Sequence, residues 1–81
     1  MSNSKYHTIN IPKGEIGKIS KIEEELLELK DAENQNSKIM IMIELCDLYG
    51  SIEEYAKNFN LTMEDLKKFS DITKRAIKNE C

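Results

Sequence analysis

Histidine is nearly absent from this chain, cysteine is scarce and positive charge is in deficit, and each shortage removes a class of function. A single histidine, His7, excludes a conventional His-based metal site and a Ser-His-Asp triad. The two cysteines form no Cys/His cluster for zinc. Cys46 lies in an apolar run and reads as a small buried hydrophobe, and Cys81 reads as a free terminal thiol. With 15 acidic against 12 basic residues and a net charge of −3, there is no basic footprint for duplex nucleic acid and no polybasic membrane patch. No apolar run reaches the roughly 18 residues of a transmembrane helix. Met1-Ser2-Asn3-Ser4-Lys5 also lacks the apolar core of a signal peptide, so the expected location is the cytoplasm.

What the sequence does have is one dense apolar stretch. From Ile39 to Tyr49 every residue is apolar or weakly polar except Glu44 and Asp47, and the apolar positions cover all sides of a helical wheel. Such a helix belongs inside a bundle. An unpartnered carboxylate carried out of water costs several kcal/mol or takes up a proton. At i and i+3, Glu44 and Asp47 share one helix face, and a divalent cation is the expected compensation. A chain of 81 residues makes one short domain that struggles to bury enough apolar surface alone, so a homo-oligomer is expected.

Residues 1–14 read as an N-terminal extended segment, with Tyr6 to Ile11 alternating as a short strand, Pro12-Lys13-Gly14 as a turn and His7 on the surface. Residues 15–81 read as a single helical domain. A first helix begins after Glu15, with Ser20 as a possible cap, and ends near Asp31 to Glu33. Its apolar stripe is Ile19, Ile22, Leu26 and Leu29. Glu25 and Glu28 flank that stripe on the side of Ala32, while Lys21, Glu23 and Glu24 point further outward. Ser37 caps a second helix that runs on to about Lys57. Gly50 interrupts it, and close approach of another helix is the expected reason. Thr62 caps a third helix, from Met63 to about Lys78, whose buried side is Leu66, Phe69, Ile72, Thr73, Ala76 and Ile77. The predicted fold is therefore all-α, an antiparallel helical bundle with its core completed by oligomerisation.

The acids read Glu25-Leu26-Leu27-Glu28 and then Glu44-Leu45-Cys46-Asp47, one carboxylate pair on each of two helices joined by a turn short enough to oppose them. Carboxylates sharing a cleft repel, and a hard oxygen set selects Mg²⁺, with Mn²⁺ as a substitute. This ExxE, spacer, ExxD pattern resembles the all-α nucleoside triphosphate pyrophosphohydrolases of the MazG-like superfamily. The likeness covers about residues 18 to 78, with Lys21 to Ala32 similar to the family's first helix and Ile43 to Gly50 to its second. The Ile11-Pro12-Lys13-Gly14 opening and the short chain look similar to compact phage-borne members.

The resemblance implies a bundle of two or more subunits, a dimer or a tetramer. It implies Mg²⁺ held by Glu25, Glu28, Glu44 and Asp47, and cleavage of a nucleoside triphosphate between the α and β phosphates to give a monophosphate and pyrophosphate. Glu25 or Glu28 would be the general base. Lys74 and Arg75, and less strongly Lys18 and Lys21, match the family's phosphate contacts. Asp71 is a further acid downstream of the second helix, and Tyr49 and Tyr55 are aromatic side chains that either stack on a base or pack in the core. Two other readings compete: an inactive nucleotide-sequestering protein of the same fold, and a purely structural oligomerisation module.

Overall fold

The computed structural model describes residues 7–80, with side chains described for residues 7–75. Met1 to Tyr6 and Cys81, and the side chains of Ala76 and Ile77, thus lie outside the described residues. The chain is all-α, with α1 over Ile19–Asn34, α2 over Lys38–Ala56, a 3₁₀ turn over Lys57–Phe59 and α3 over Met63–Glu80.

Each boundary has a local cause. The Ser37 hydroxyl accepts from the Met40 amide at 3.2 Å and starts α2. Thr62 and Asp65 start α3 by reciprocal bonds, Asp65 N–H to the Thr62 hydroxyl at 3.1 Å and Thr62 N–H to the Asp65 carboxylate at 2.9 Å. Asn36 and Asn60 both stand in the left-handed region, at φ 57°. Asn36 ends α1 with its own N–H on Glu33 O at 2.9 Å and the following Ser37 N–H on Ala32 O at 3.3 Å. Asn60 ends the 3₁₀ turn the same way, through Lys57 O and Leu61 N–H on Ala56 O, each at 3.1 Å. This double bond pattern closes a helix whose next residue turns left-handed, a position asparagine tolerates. Ser20 is not the cap of α1, which has Lys18 in that position. The Ser20 hydroxyl lies within the helix and accepts from Glu15 N–H at 3.0 Å.

Three residues separate α1 from α2, and the two helices pack together as the main tertiary contact of the chain. Glu25 and Glu28 of α1 come together with Glu44 and Asp47 of α2. The helix α3 makes no packing of comparable extent among the described residues. The radius of gyration is accordingly 14.8 Å, against about 12 Å for a compact chain of this length.

Glu25 and Glu28 turn toward α2 as their spacing suggested, but the rest of the burial departs from expectation. The polar stripe of α1, with Glu24, Glu25, Glu28, Asp31 and Ala32, faces inward, whereas Ile19 and Leu26 from the apolar stripe are exposed. Among the described residues, Ala32 and Ala56 are the buried apolar side chains. Phe69, Ile72 and Thr73 on α3 are exposed rather than buried, and Cys46 is exposed. The physical reason is common to all of them: nothing among the described residues packs over these faces. The expected reason for Gly50 also fails within the chain, since a Cβ built there meets nothing within 4 Å.

No strand forms among the described residues, and 8–9 make a bend instead. The segment lies along the hairpin. At Gly14 it comes so close to α1 that a Cβ would collide with the Ser20 carbonyl and the Lys21 Cα. That approach lets the Gly14 N–H donate to Glu24 Oε1 at 2.8 Å.

Candidate metal centre

Glu25 and Glu28 from α1 and Glu44 and Asp47 from α2 bring carboxylate oxygens that lie within 4.8 Å of one another. The first three are buried and Asp47 is exposed, so the cluster opens toward solvent on the Asp47 side. Helical spacing explains the convergence: each pair sits one turn apart on its helix, and the turn at residues 35–37 sets the two pairs at the same height.

One carboxylate oxygen on each buried glutamate is unsatisfied. Glu25 Oε1, Glu28 Oε2 and Glu44 Oε1 have no hydrogen-bond partner. Burial raises the Glu28 carboxyl, and the adjoining Glu44 and Glu24 carboxyls raise it further, to about 7. Burial likewise raises Glu25 against the opposing effect of Lys21, and raises Glu44 against the effect of Glu28, with the Asp47 charge adding to the rise. Orphaned buried acceptors on three converging carboxylates are what a small cation satisfies, and an all-oxygen set suits Mg²⁺ or Mn²⁺. The residues present therefore fit the ion that the spacing called for.

Two nitrogen-bearing side chains already lean on this cluster. Lys21 Nζ sits 3.1 Å from Glu24 and 2.9 Å from Glu25. Burial would lower its ammonium, but these two carboxylates outweigh that and raise it. Glu24, expected to point outward, is buried. Burial would raise its carboxyl, and the Gly14 amide and Lys21 overcome this and lower it.

His7 is the second, and its placement departs most from expectation. Its side chain is 2% exposed rather than on the surface. Nδ1 lies 2.9 Å from Asp31 Oδ2, and Nε2 lies 3.5 Å from Glu28 Oε1 and 3.4 Å from Glu44 Oε2. Burial would lower the imidazole, but the Asp31 bond and the charges of Glu28 and Glu44 raise it. Asp31 is held by the Thr8 hydroxyl, then by the Thr8 amide, His7 and Gln35, which keep its carboxyl at about 2. The sequence carried one signal for Asp31: Lys21, Glu24, Glu25, Glu28, Asp31, Ala32 and Gln35 fall on one stripe of α1. For His7 no local signal existed, because its contacts span 21 to 37 positions.

Of the remaining candidates, Lys18 pairs with Glu15 at 3.5 Å in solvent, and Lys74 and Arg75 are exposed on α3. Asp71 pairs with Lys67 at 3.0 Å. Tyr49 is exposed, while Tyr55 stands edge-on to Phe59 with ring centroids 5.3 Å apart.

Comparison with protein-family models, curated proteins and solved structures gave no match. No described helix is long and apolar enough to cross a membrane.

Proposed function

We propose that the chain is a Mg²⁺-dependent nucleoside triphosphate pyrophosphohydrolase that works in the cytoplasm as a homo-oligomer. The observation that carries this reading is the set of three unsatisfied, buried carboxylate oxygens on Glu25, Glu28 and Glu44 beside Asp47. These four residues would hold the ion, with Mn²⁺ as substitute. When bound, Mg²⁺ screens phosphate charge and favours attack by water. The exposed Asp47 side of the cluster is where an anionic triphosphate would approach.

In the proposed reaction a water oxygen bonds to the α phosphorus, the bond to the bridging α–β oxygen breaks, and pyrophosphate leaves with that electron pair. A carboxylate takes the proton of the water. Glu25 and Glu28, which bring carboxylate oxygens into the cluster, are the two candidates for this role. Lys21 keeps Glu25 and Glu24 in place, and Lys74 and Arg75 are the candidate phosphate contacts from α3.

The outer face of α2 supports the oligomer. Ile39, Met42, Ile43, Leu45 and Tyr49 are all exposed on it, and Ile39, Ile41, Met42 and Leu45 line an apolar groove of about 360 Å³ with Lys38. A second copy presents the same self-complementary face and would complete a bundle. That face also favours the competing reading of a purely structural oligomerisation module.

Incubation of the purified chain with Mg²⁺ and a panel of canonical and modified triphosphates tests the proposal. Release of pyrophosphate and monophosphate, lost by 100-fold or more in Glu28→Gln and Glu44→Gln, is expected. Tight nucleotide binding without release would replace the enzyme by a sequestering protein. If Glu44→Gln with Asp47→Asn only raises stability and the native chain shows no Mg²⁺ affinity, the structural module stands.

A further inference from the structure

We infer that His7, Glu28 and Glu44 form a second metal position, one with a nitrogen ligand, that takes a divalent first-row transition ion of the Zn²⁺ class. The inference rests on the reading of the acid cluster as a cation site, because Glu28 and Glu44 belong to both positions.

Geometry carries it. His7 Nε2, a Glu28 oxygen and a Glu44 oxygen lie within 4.8 Å of one another. The two nitrogen–oxygen distances, 3.5 and 3.4 Å, exceed the ~2.7–2.9 Å of a charge-assisted hydrogen bond. They match the ligand–ligand edge of a tetrahedron with bonds of about 2.1 Å, which is roughly 3.4 Å. Glu28 Oε2 and Glu44 Oε1 are both buried and without a partner, on side chains 5% exposed, so the carboxylates keep acceptor capacity beyond the imidazole.

The ring is also held as a ligand is held. Asp31 engages Nδ1 at 2.9 Å, which fixes the orientation and leaves Nε2 facing the two glutamates. Asp31 is in turn tied by the Thr8 amide at 2.9 Å and the Gln35 amide at 2.9 Å. A carboxylate behind an imidazole is the usual support for a metal-bound histidine. One nitrogen among oxygens shifts preference from Mg²⁺ toward Zn²⁺, Fe²⁺ or Ni²⁺. The N-terminal segment is thereby a part of the site, tied to α1 at Thr8 and Gly14.

His7 is the one imidazole in the sequence, which makes the test direct. Nitrogen-15 NMR of the full chain, with Cys46 and Cys81 replaced by serine to remove thiol binding, follows that ring during separate Zn²⁺ and Mg²⁺ titrations. Zn²⁺ is expected to move the Nε2 resonance to a metal-bound position, and Mg²⁺ is expected to leave it near its starting value. His7→Ala should weaken Zn²⁺ binding 10- to 100-fold and change Mg²⁺ affinity less than threefold, and Asp31→Asn should weaken Zn²⁺ about 10-fold. If Mg²⁺ binds while Zn²⁺ leaves the ring unmoved, or if His7→Ala binds Zn²⁺ as tightly as the parent, His7 is only a counter-ion and this inference fails alone. If neither ion binds, the reading of the cluster as a cation site fails with it.

Discussion

The cleft between α1 and α2 and the outer face of α2 are built the wrong way round for a self-sufficient subunit. The cleft buries Glu24, Glu25, Glu28, Asp31 and Glu44, while the outer face exposes Ile39, Met42, Ile43, Leu45 and Tyr49. Buried carboxylates oppose folding unless something neutralises them, and exposed apolar side chains forgo the main force that drives it. On the proposed reading each face takes one partner, a cation inside and a second layer of helix outside. Lys21 supplies part of the inner charge from within the chain, and His7 places its imidazole beside Glu28 and Glu44. Nothing described in the chain covers the outer face.

The largest expected effect lies on that outer face. Replacing Met42 and Leu45 together by glutamate removes two side chains whose burial in an assembly is worth about 1.5–3 kcal/mol each. The variant should elute as a monomer in light-scattering chromatography and lose helical circular dichroism. An unchanged assembly would show that the oligomer uses another surface.

Next comes the inner face. Removing two of the acids, by Glu28→Gln with Glu44→Gln, should lower Mg²⁺ affinity at least 100-fold in calorimetry. The same variant should melt higher than the parent in chelator, because it takes like charges out of a buried cluster. A fall in both quantities would mean the acids hold the cleft together by other bonds.

Both outcomes concern features that the sequence disclosed unequally. The starts of α2 and α3 were legible at Ser37 and Thr62, because capping is a local bond between neighbouring residues. The four clustered acids were legible from their spacing on two helices joined by a short turn. The fate of the apolar stripe of α1 was not, since among the described residues nothing covers Ile19 and Leu26, and Ile22 and Leu29 are only half-buried. The placement of His7 depends on a fold-back across more than 20 positions and on the missing side chain of Gly14.

That last point gives a third test. Gly14→Ala places a methyl group against the Ser20 carbonyl and should cost about 1–3 kcal/mol. Hydrogen exchange should show lost protection at Thr8 and Gly14 with α2 unaffected. Retained protection at both amides would contradict the close approach.

The smallest effect is a pH dependence. Glu28 moves from an ordinary 4.5 to about 7, so the folded state holds a proton that the unfolded chain has released between those values. The metal-free protein should then lose stability as pH rises through that window. Asp31 works in the opposite sense. Its carboxyl drops from 3.8 to about 2, and the stabilisation present above 3.8 is lost as pH falls toward 2. Saturating Mg²⁺ should abolish the decline above pH 4.5, because the ion replaces the proton. Melting curves with and without Mg²⁺ across pH 4 to 8 read this directly, and parallel curves would weigh against a shared site.

The central claim is that Glu25, Glu28, Glu44 and Asp47 converge to hold a cation. Anomalous diffraction from crystals grown with Mn²⁺ tests it most directly. The account predicts a peak enclosed by those four carboxylates. A map with no peak there, and with Glu44 and Asp47 turned away from Glu25 and Glu28, would contradict it.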